Sequence, residues 1–111
     1  MKDFLFLYRF STQPSSPEEM QKLIAKWNVW MLDLIAKKHV TDRGHPLERA
    51  GKLVQGKARA IVDGPYAETK DIIGGYTPIV AKDLDEAAEL AKGCPVLESG
   101  GLVEVRPIMK L

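Results

Sequence analysis

Cysteine, histidine and long apolar runs are scarce in this sequence. One cysteine, Cys94, stands in 111 residues and cannot close a disulfide within the chain. It has no Cys or His neighbour at metal-ligand spacing, so a disulfide-stapled scaffold is excluded and a reducing compartment, the cytoplasm, is the expected location. His39 and His45 flank Asp42, but their spacing matches no zinc pattern and the segment reads as a loop, so no metal is expected. A dinucleotide-binding glycine run is missing, as is a nucleophile beside a base, and no cofactor is expected. The opening MKDFLFLYRF carries an acidic residue near its start, an apolar run far too short to span a bilayer, and no small-residue cleavage site. Neither a membrane segment nor export is expected from it. A charge excess is missing too: 16 Lys and Arg are scattered among 15 Asp and Glu, for a net +1. No basic stripe is available to release counterions from a phosphate backbone, which argues against nucleic acid as a partner.

The chain does have apolar material for one core, with 45% hydrophobic residues. At this length a single domain over residues 1–111 is expected. FLFLYRF (4–10) is a continuous apolar run with Phe4 and Phe6 on one parity and leucines on the other, which predicts a central strand covered on both faces. Ser16-Pro17-Glu18-Glu19 is a helix start: a serine cap, a proline at the first helical position and a glutamate placed to close a capping box. Met20, Leu23, Ile24, Trp27, Met31, Leu34 and Ile35 then recur at helical spacing, with Trp30 at the stripe's border. Lys37, Lys38 and His39 fall in the expected last turn, and TDRGHP reads as the stop, with His45 in a turn.

Further on, GKLV, Gln55-Gly56 and KARAIVDG read as a hairpin whose turn glycine takes positive φ. IIGGYTPIVA is the next strand, and Pro78 within it must face an edge, a bulge or solvent because it donates no hydrogen bond. Asp83 and Glu86 form a second capping box before LDEAAELAK, Gly93 suits the cap that ends this helix, and GLVEVRPIM is a closing strand. The order β-α-β-β-β-α-β predicts an α+β fold: one mixed, largely antiparallel sheet with two helices on one face. The uncovered face would carry apolar side chains, so a homodimer through the sheet faces is expected. Such a contact needs about 1,200 Å² or more in total.

Most of the polar chemistry lies in DGPYAETKDIIGGY (63–76). Pro65 restricts Gly64 and presents Asp63 at a strand end. Tyr66, Glu68, Thr69, Lys70 and Asp71 follow, and then Gly74-Gly75, where a ligand or backbone can approach closely. Two readings stand side by side. In one, Asp63 makes a turn bond, Glu68 and Lys70 are solvated, and the glycines mark a β-bulge. In the other, the loop is part of a ligand site.

DGPYAETKDIIGGY resembles the DGP[FY]AETKE-x-x-GG[FY] signature of the DGPF group within the YCII-related proteins, and the opening strand, SPEEM, the LDEA helix and VEVRPIM extend the likeness. The resemblance implies a ferredoxin-like fold that pairs into a dimeric α+β barrel. It implies little about activity: related barrels include isomerases and cofactor-free monooxygenases, and some relatives are associated with extracytoplasmic-function sigma factors. In one branch of the family a first-helix histidine and an aspartate are regarded as a catalytic pair. Here that helix has Asn28 and two tryptophans but no histidine.

Two functions of different class follow. One is a binder or converter of a small, anionic metabolite in a cleft between the sheet and the first helix. Asp63 would be the acid or base and Tyr66 its hydrogen-bond partner, with Glu68 and Gly75 at the loop, Trp27, Trp30 and Tyr8 as walls, and Arg9 or Arg106 neutralising the ligand. The other is a non-catalytic dimeric interaction module linked to sigma-factor or transcriptional signalling, in which the loop is structural.

Overall fold

A computed structural model describes residues 1–10, 16–64 and 72–111. Strand β1 (Lys2–Phe10) buries Phe4, Phe6 and Tyr8 and leaves Leu5 and Leu7 half-buried, as side-chain alternation on a pleated strand requires. Helix α1 (Pro17–Ala36) starts where Ser16 Oγ accepts the Glu19 amide at 3.1 Å, with Glu18 and Glu19 complementing the positive end of the helix. It ends before TDRGHP. Lys38 takes φ 66°, its amide bonds to the Ile35 carbonyl, and the His39 amide reaches the Leu34 carbonyl at 2.9 Å. These two bonds form a Schellman motif with lysine in the left-handed position usually held by glycine. Lys37, Lys38 and His39 therefore lie past the last turn instead of within it.

The chain continues through β2 (His45–Pro46), β3 (Gly51–Gln55), β4 (Ala60–Gly64), β5 (Ile72–Ala81), α2 (Leu84–Ala91), a 3₁₀ turn at Pro95–Ser99 and β6 (Leu102–Pro107). The main sheet has the order β2-β5-β1-β6 and is antiparallel at every pairing. With one helix after β1 and one after β5, both packed on the Phe4/Phe6/Tyr8 face, this is a ferredoxin-like α+β fold. Asp83 caps α2 by accepting the Glu86 amide at 2.8 Å, while Glu86 reaches back to the Lys82 amide at 2.9 Å. Pro78 lies on β5 beyond the short β2 partner, which pairs only at Tyr76 and Gly75. Among the described residues no helix is long and apolar enough to cross a membrane.

Two elements differ from the sequence reading. His45 and Pro46 form a short edge strand where a turn was expected, because two residues are too few to show a period. Strands β3 and β4 do pair as a hairpin, with Gly56 at φ 68°, but they form a second sheet apart from the first. Among the described residues they touch no other strand or helix. The radius of gyration is 15.5 Å, against roughly 13 Å for a compact domain of about this size.

The core joins Phe4, Phe6, Tyr8 and Ile79 of the sheet to Trp30, Met31 and Leu34 of α1, and to Ala87 and Ala91 of α2. Trp30, placed at the stripe's border by spacing alone, is a core residue. Its ring stacks on Phe6 with centroids 6.0 Å apart, and its Nε1 donates to the Leu90 carbonyl at 3.3 Å. Gly93 lies against that ring with no room for a side chain, which gives this glycine a packing role in place of the expected cap. On the opposite face, Leu5, Leu7, Tyr76 and Pro78 remain half-exposed around a cluster of Arg9, Glu104 and Arg106.

Candidate functional site

Helix α1 packs unevenly. Its C-terminal half buries Met31 and Leu34, whereas Met20 and Ile24, on the same stripe, are 37% and 51% exposed. With Leu23, and with Trp27 where it meets Tyr8 of β1, these N-terminal residues line one side of an open cavity of about 400 Å³. Tyr8, Phe10, Leu47, Gly74, Gly75 and Thr77 are among the other residues that line it, with Asn28, Arg43 and His45 at its polar side. The volume lies within the range of small-molecule sites, and the lining is mainly apolar, as such sites usually are.

Glycine shapes the floor. The β1–β5 register shifts between Tyr8 and Arg9, leaving Gly74 as the extra residue of a β-bulge. A side chain there would run into the Phe10 ring, so the bulge needs glycine for Phe10 to lie over it. At Gly44, φ 71° and the close Tyr76 carbonyl both exclude a side chain. The approach lets the chain after β2 reach β5, where the Leu47 amide bonds to the Gly74 carbonyl at 2.8 Å.

Four polar side chains of the lining, Tyr8, Thr77, Arg43 and Asn28, are specifically bonded, and His45 and Ser99 also line the cavity. Tyr8 Oη donates to Thr77 Oγ1 at 2.7 Å, and Thr77 Oγ1 donates to the Arg43 carbonyl at 2.8 Å. Burial pushes the Tyr8 phenol far above its ordinary pKa, against the opposing effect of the Thr77 bond, so it acts as a neutral hydrogen-bonding group and not as a base. Asp42 accepts the Gly44 amide at 2.9 Å in a turn that fixes Arg43 between them. The Arg43 guanidinium donates to Asn28 Oδ1 at 2.8 Å. The described lining includes no Asp, Glu or Lys, so Arg43 is its permanent charge and its side-chain bond goes to a neutral amide.

The structure separates the residues singled out from sequence. Trp27 and Gly75 line the cavity, Trp27 edge-on to Tyr8 with centroids 4.6 Å apart. Arg9 pairs with Leu102 and Arg106 with Leu5, so the two arginines lie on either side of Glu104 on the sheet face away from the cavity, and both bind it, at 2.8 and 3.0 Å. Their hydrogen bonds, Arg106 first, hold the Glu104 carboxyl below the usual carboxylate range. Asp63 sits on the hairpin with its side chain 90% exposed, bonded to Lys52 Nζ at 2.8 Å, and is not part of the cavity lining. Tyr66 and Glu68 lie outside the described residues. His39 Nδ1 lies 2.8 Å from the Val80 carbonyl, while the His39 carbonyl accepts the Val80 amide, so this residue ties the α1 exit to β5. The described residues contain no group of three or more His, Cys, Asp or Glu able to hold a metal ion.

Arg43 and Asn28 escaped the sequence reading. Arg43 lies in TDRGHP, which reads as a helix stop, and Asn28 drew notice only as a residue standing in a helix without histidine. A polar side chain adjoining Trp27 at the edge of the apolar stripe was the available signal.

No curated protein compared with the chain matches it. A family profile, the YCII-related domain, matches residues 11–111 and so takes in α1, the cavity-lining segments of β2 and β5, and the closing strand. By that match the chain belongs to the YCII-related family.

Proposed function

We propose that this protein binds a small, largely apolar molecule bearing one anionic group, seated in the cavity between the N-terminal half of α1 and the sheet. The observation that carries this reading is the charge pattern of the cavity: an apolar lining with Arg43 as its permanent charge, tethered to Asn28 with no carboxylate beside it in the described lining. A guanidinium paired to a carboxylate would have its field largely cancelled. One bonded to an amide keeps a charge to offer, and its planar fork suits a carboxylate or phosphate oxygen pair. Trp27, Tyr8 and Phe10 offer ring faces and edges to the apolar body of the ligand. The DGPYAETKDIIGGY segment supports a narrower placement within the family, in the DGPF group.

The reading includes a homodimer through the sheet faces. Leu5, Leu7, Tyr76 and Pro78 form a half-exposed apolar face away from both helices, and apolar surface of that kind favours a partner.

The binding test uses 3-phenylpropionate and its uncharged amide in thermal-shift and calorimetric titrations. The carboxylate is expected to raise the melting temperature more than the amide, and Arg43→Gln to abolish the difference while leaving the fold intact. Equal response to acid and amide would remove Arg43 from the site. A protein that responds to neither this pair nor a wider set of small carboxylates would favour the interaction module instead.

A further inference from the structure

We infer that the β3–β4 hairpin is an arm that clasps a second copy of this chain. The inference rests on the sheet-face dimer proposed above and extends it to a separate element. Val54 and Ile61 are directly opposite one another on one face of the hairpin and are each 67% exposed. Leu53 and Val62 form a second apolar pair on the reverse face. Branched side chains directly opposed across two strands are the usual means of holding a hairpin together against a covering surface. Yet among the described residues neither face of this hairpin meets a helix or strand of its own chain. A two-stranded hairpin alone in water is marginal, so an arm of this composition needs a surface to lie on.

Area identifies the occupant. Residues Phe4–Arg9 of β1 are paired on both sides, to β5 and β6. All the strand residues of the four-stranded sheet, at about 4.8 Å by 3.4 Å each, give a flat face of about 440 Å². A stable dimer needs roughly 600 Å² per partner, so the sheet face alone supplies about three quarters. The arm is five paired residues long, or about 17 Å, and about 10 Å wide. In a symmetric pair each protomer gives one arm and receives one, which adds about 340 Å² to each and brings the contact to the stable range. Lys57 and Arg59 in the turn are exposed and charged, which suits a tip that stays in water while the stem is covered.

Sedimentation velocity of the full chain across a dilution series, with Val54→Lys/Ile61→Lys beside the unaltered protein, tests the arm. Both positions face solvent in the single chain, so tryptophan fluorescence and circular dichroism of the variant should match the parent. The parent is expected to sediment as a dimer, and the variant's dissociation constant to rise at least about 100-fold. The milder Val54→Thr/Ile61→Thr pair, which keeps strand-compatible side chains, should give a smaller rise and serves if the lysine variant misfolds. Hydrogen exchange gives a second readout: arm amides should lose protection on dilution in step with dissociation. A variant that dimerises as tightly as the parent overturns the arm and leaves the sheet-face dimer standing. A parent that is monomeric at all concentrations overturns both, whereas a dissociated monomer whose arm amides stay protected overturns the arm alone, since the arm would then be covered by its own chain.

Discussion

Replacing Thr77 by valine keeps the outline of the side chain and removes only a hydroxyl, yet that hydroxyl connects two partners. Thr77 is 1% exposed, accepts a hydrogen bond from Tyr8 Oη at 2.7 Å and donates one to the Arg43 carbonyl at 2.8 Å. The substitution strands the Tyr8 hydroxyl in the core, whereas the Arg43 carbonyl belongs to an exposed residue and can turn to water. A buried donor left without a partner costs about 1–3 kcal/mol, so Thr77→Val should lower stability by about 2 kcal/mol. Tyr8→Phe leaves Thr77 still bonded to Arg43 and should cost about 1 kcal/mol, the net value of one ordinary hydrogen bond. The double variant has no stranded phenol and should cost about 1 kcal/mol as well, less than Thr77→Val alone. Equilibrium urea unfolding followed by fluorescence and circular dichroism measures all four proteins, and the coupling between the two sites should be about 2 kcal/mol. If the single effects simply add, the Tyr8 hydroxyl has another partner and the polar end of the cavity is organised differently.

Other expectations follow from the same geometry. Burial pushes the Cys94 thiol up to about 12 from an ordinary 9.0, against a bond from Val96 that lowers it. Below pH 9.0 folded and unfolded chains both hold the proton and the contribution is complete. It is lost as pH rises from there toward about 12, because the unfolded chain ionises first. Urea midpoints across alkaline pH should therefore fall, with Tyr8 adding to the decline at the upper end, and Cys94→Ala should make the onset shallower. Asp63→Asn should change stability by less than about 0.5 kcal/mol and leave any ligand-induced stabilisation intact, since its ion pair with Lys52 is exposed. A larger loss of ligand response in a thermal-shift assay would return Asp63 to the site. Trp30→Ala should cost roughly 3–5 kcal/mol in a urea titration, while Trp27→Phe should fold normally and remove most ligand-dependent change in fluorescence.

Much of the scaffold was legible because local chemistry and tertiary packing agree. Phe4, Phe6 and Tyr8 fall on one parity, and the caps at Ser16 and Asp83 bond as their side chains dictate. The end of α1 was not legible, because lysine at a positive φ leaves none of the trace that glycine does. Strand β2 was hidden by its length and identified only by its pairing with β5. The separation of the hairpin depends on where its strands dock, and alternation of side chains along β3 and β4 is the same whether they join a sheet or stand apart. The cavity was half legible. Periodicity correctly placed Met20, Leu23, Ile24 and Trp27 on one stripe, but a stripe that packs on a sheet and one that arches over a hollow have the same spacing. Arg43 enters the site through a turn fixed by Asp42 and Gly44, a local motif whose position in space depends on the docking of β2.

Pro78 carries a further consequence. On the margin of β5 past β2, the Val80 amide is already bonded to the His39 carbonyl, and at Pro78 an incoming extended chain would meet a pyrrolidine ring instead of an amide. Sideways growth of the layer by strand addition is therefore blocked at that rim.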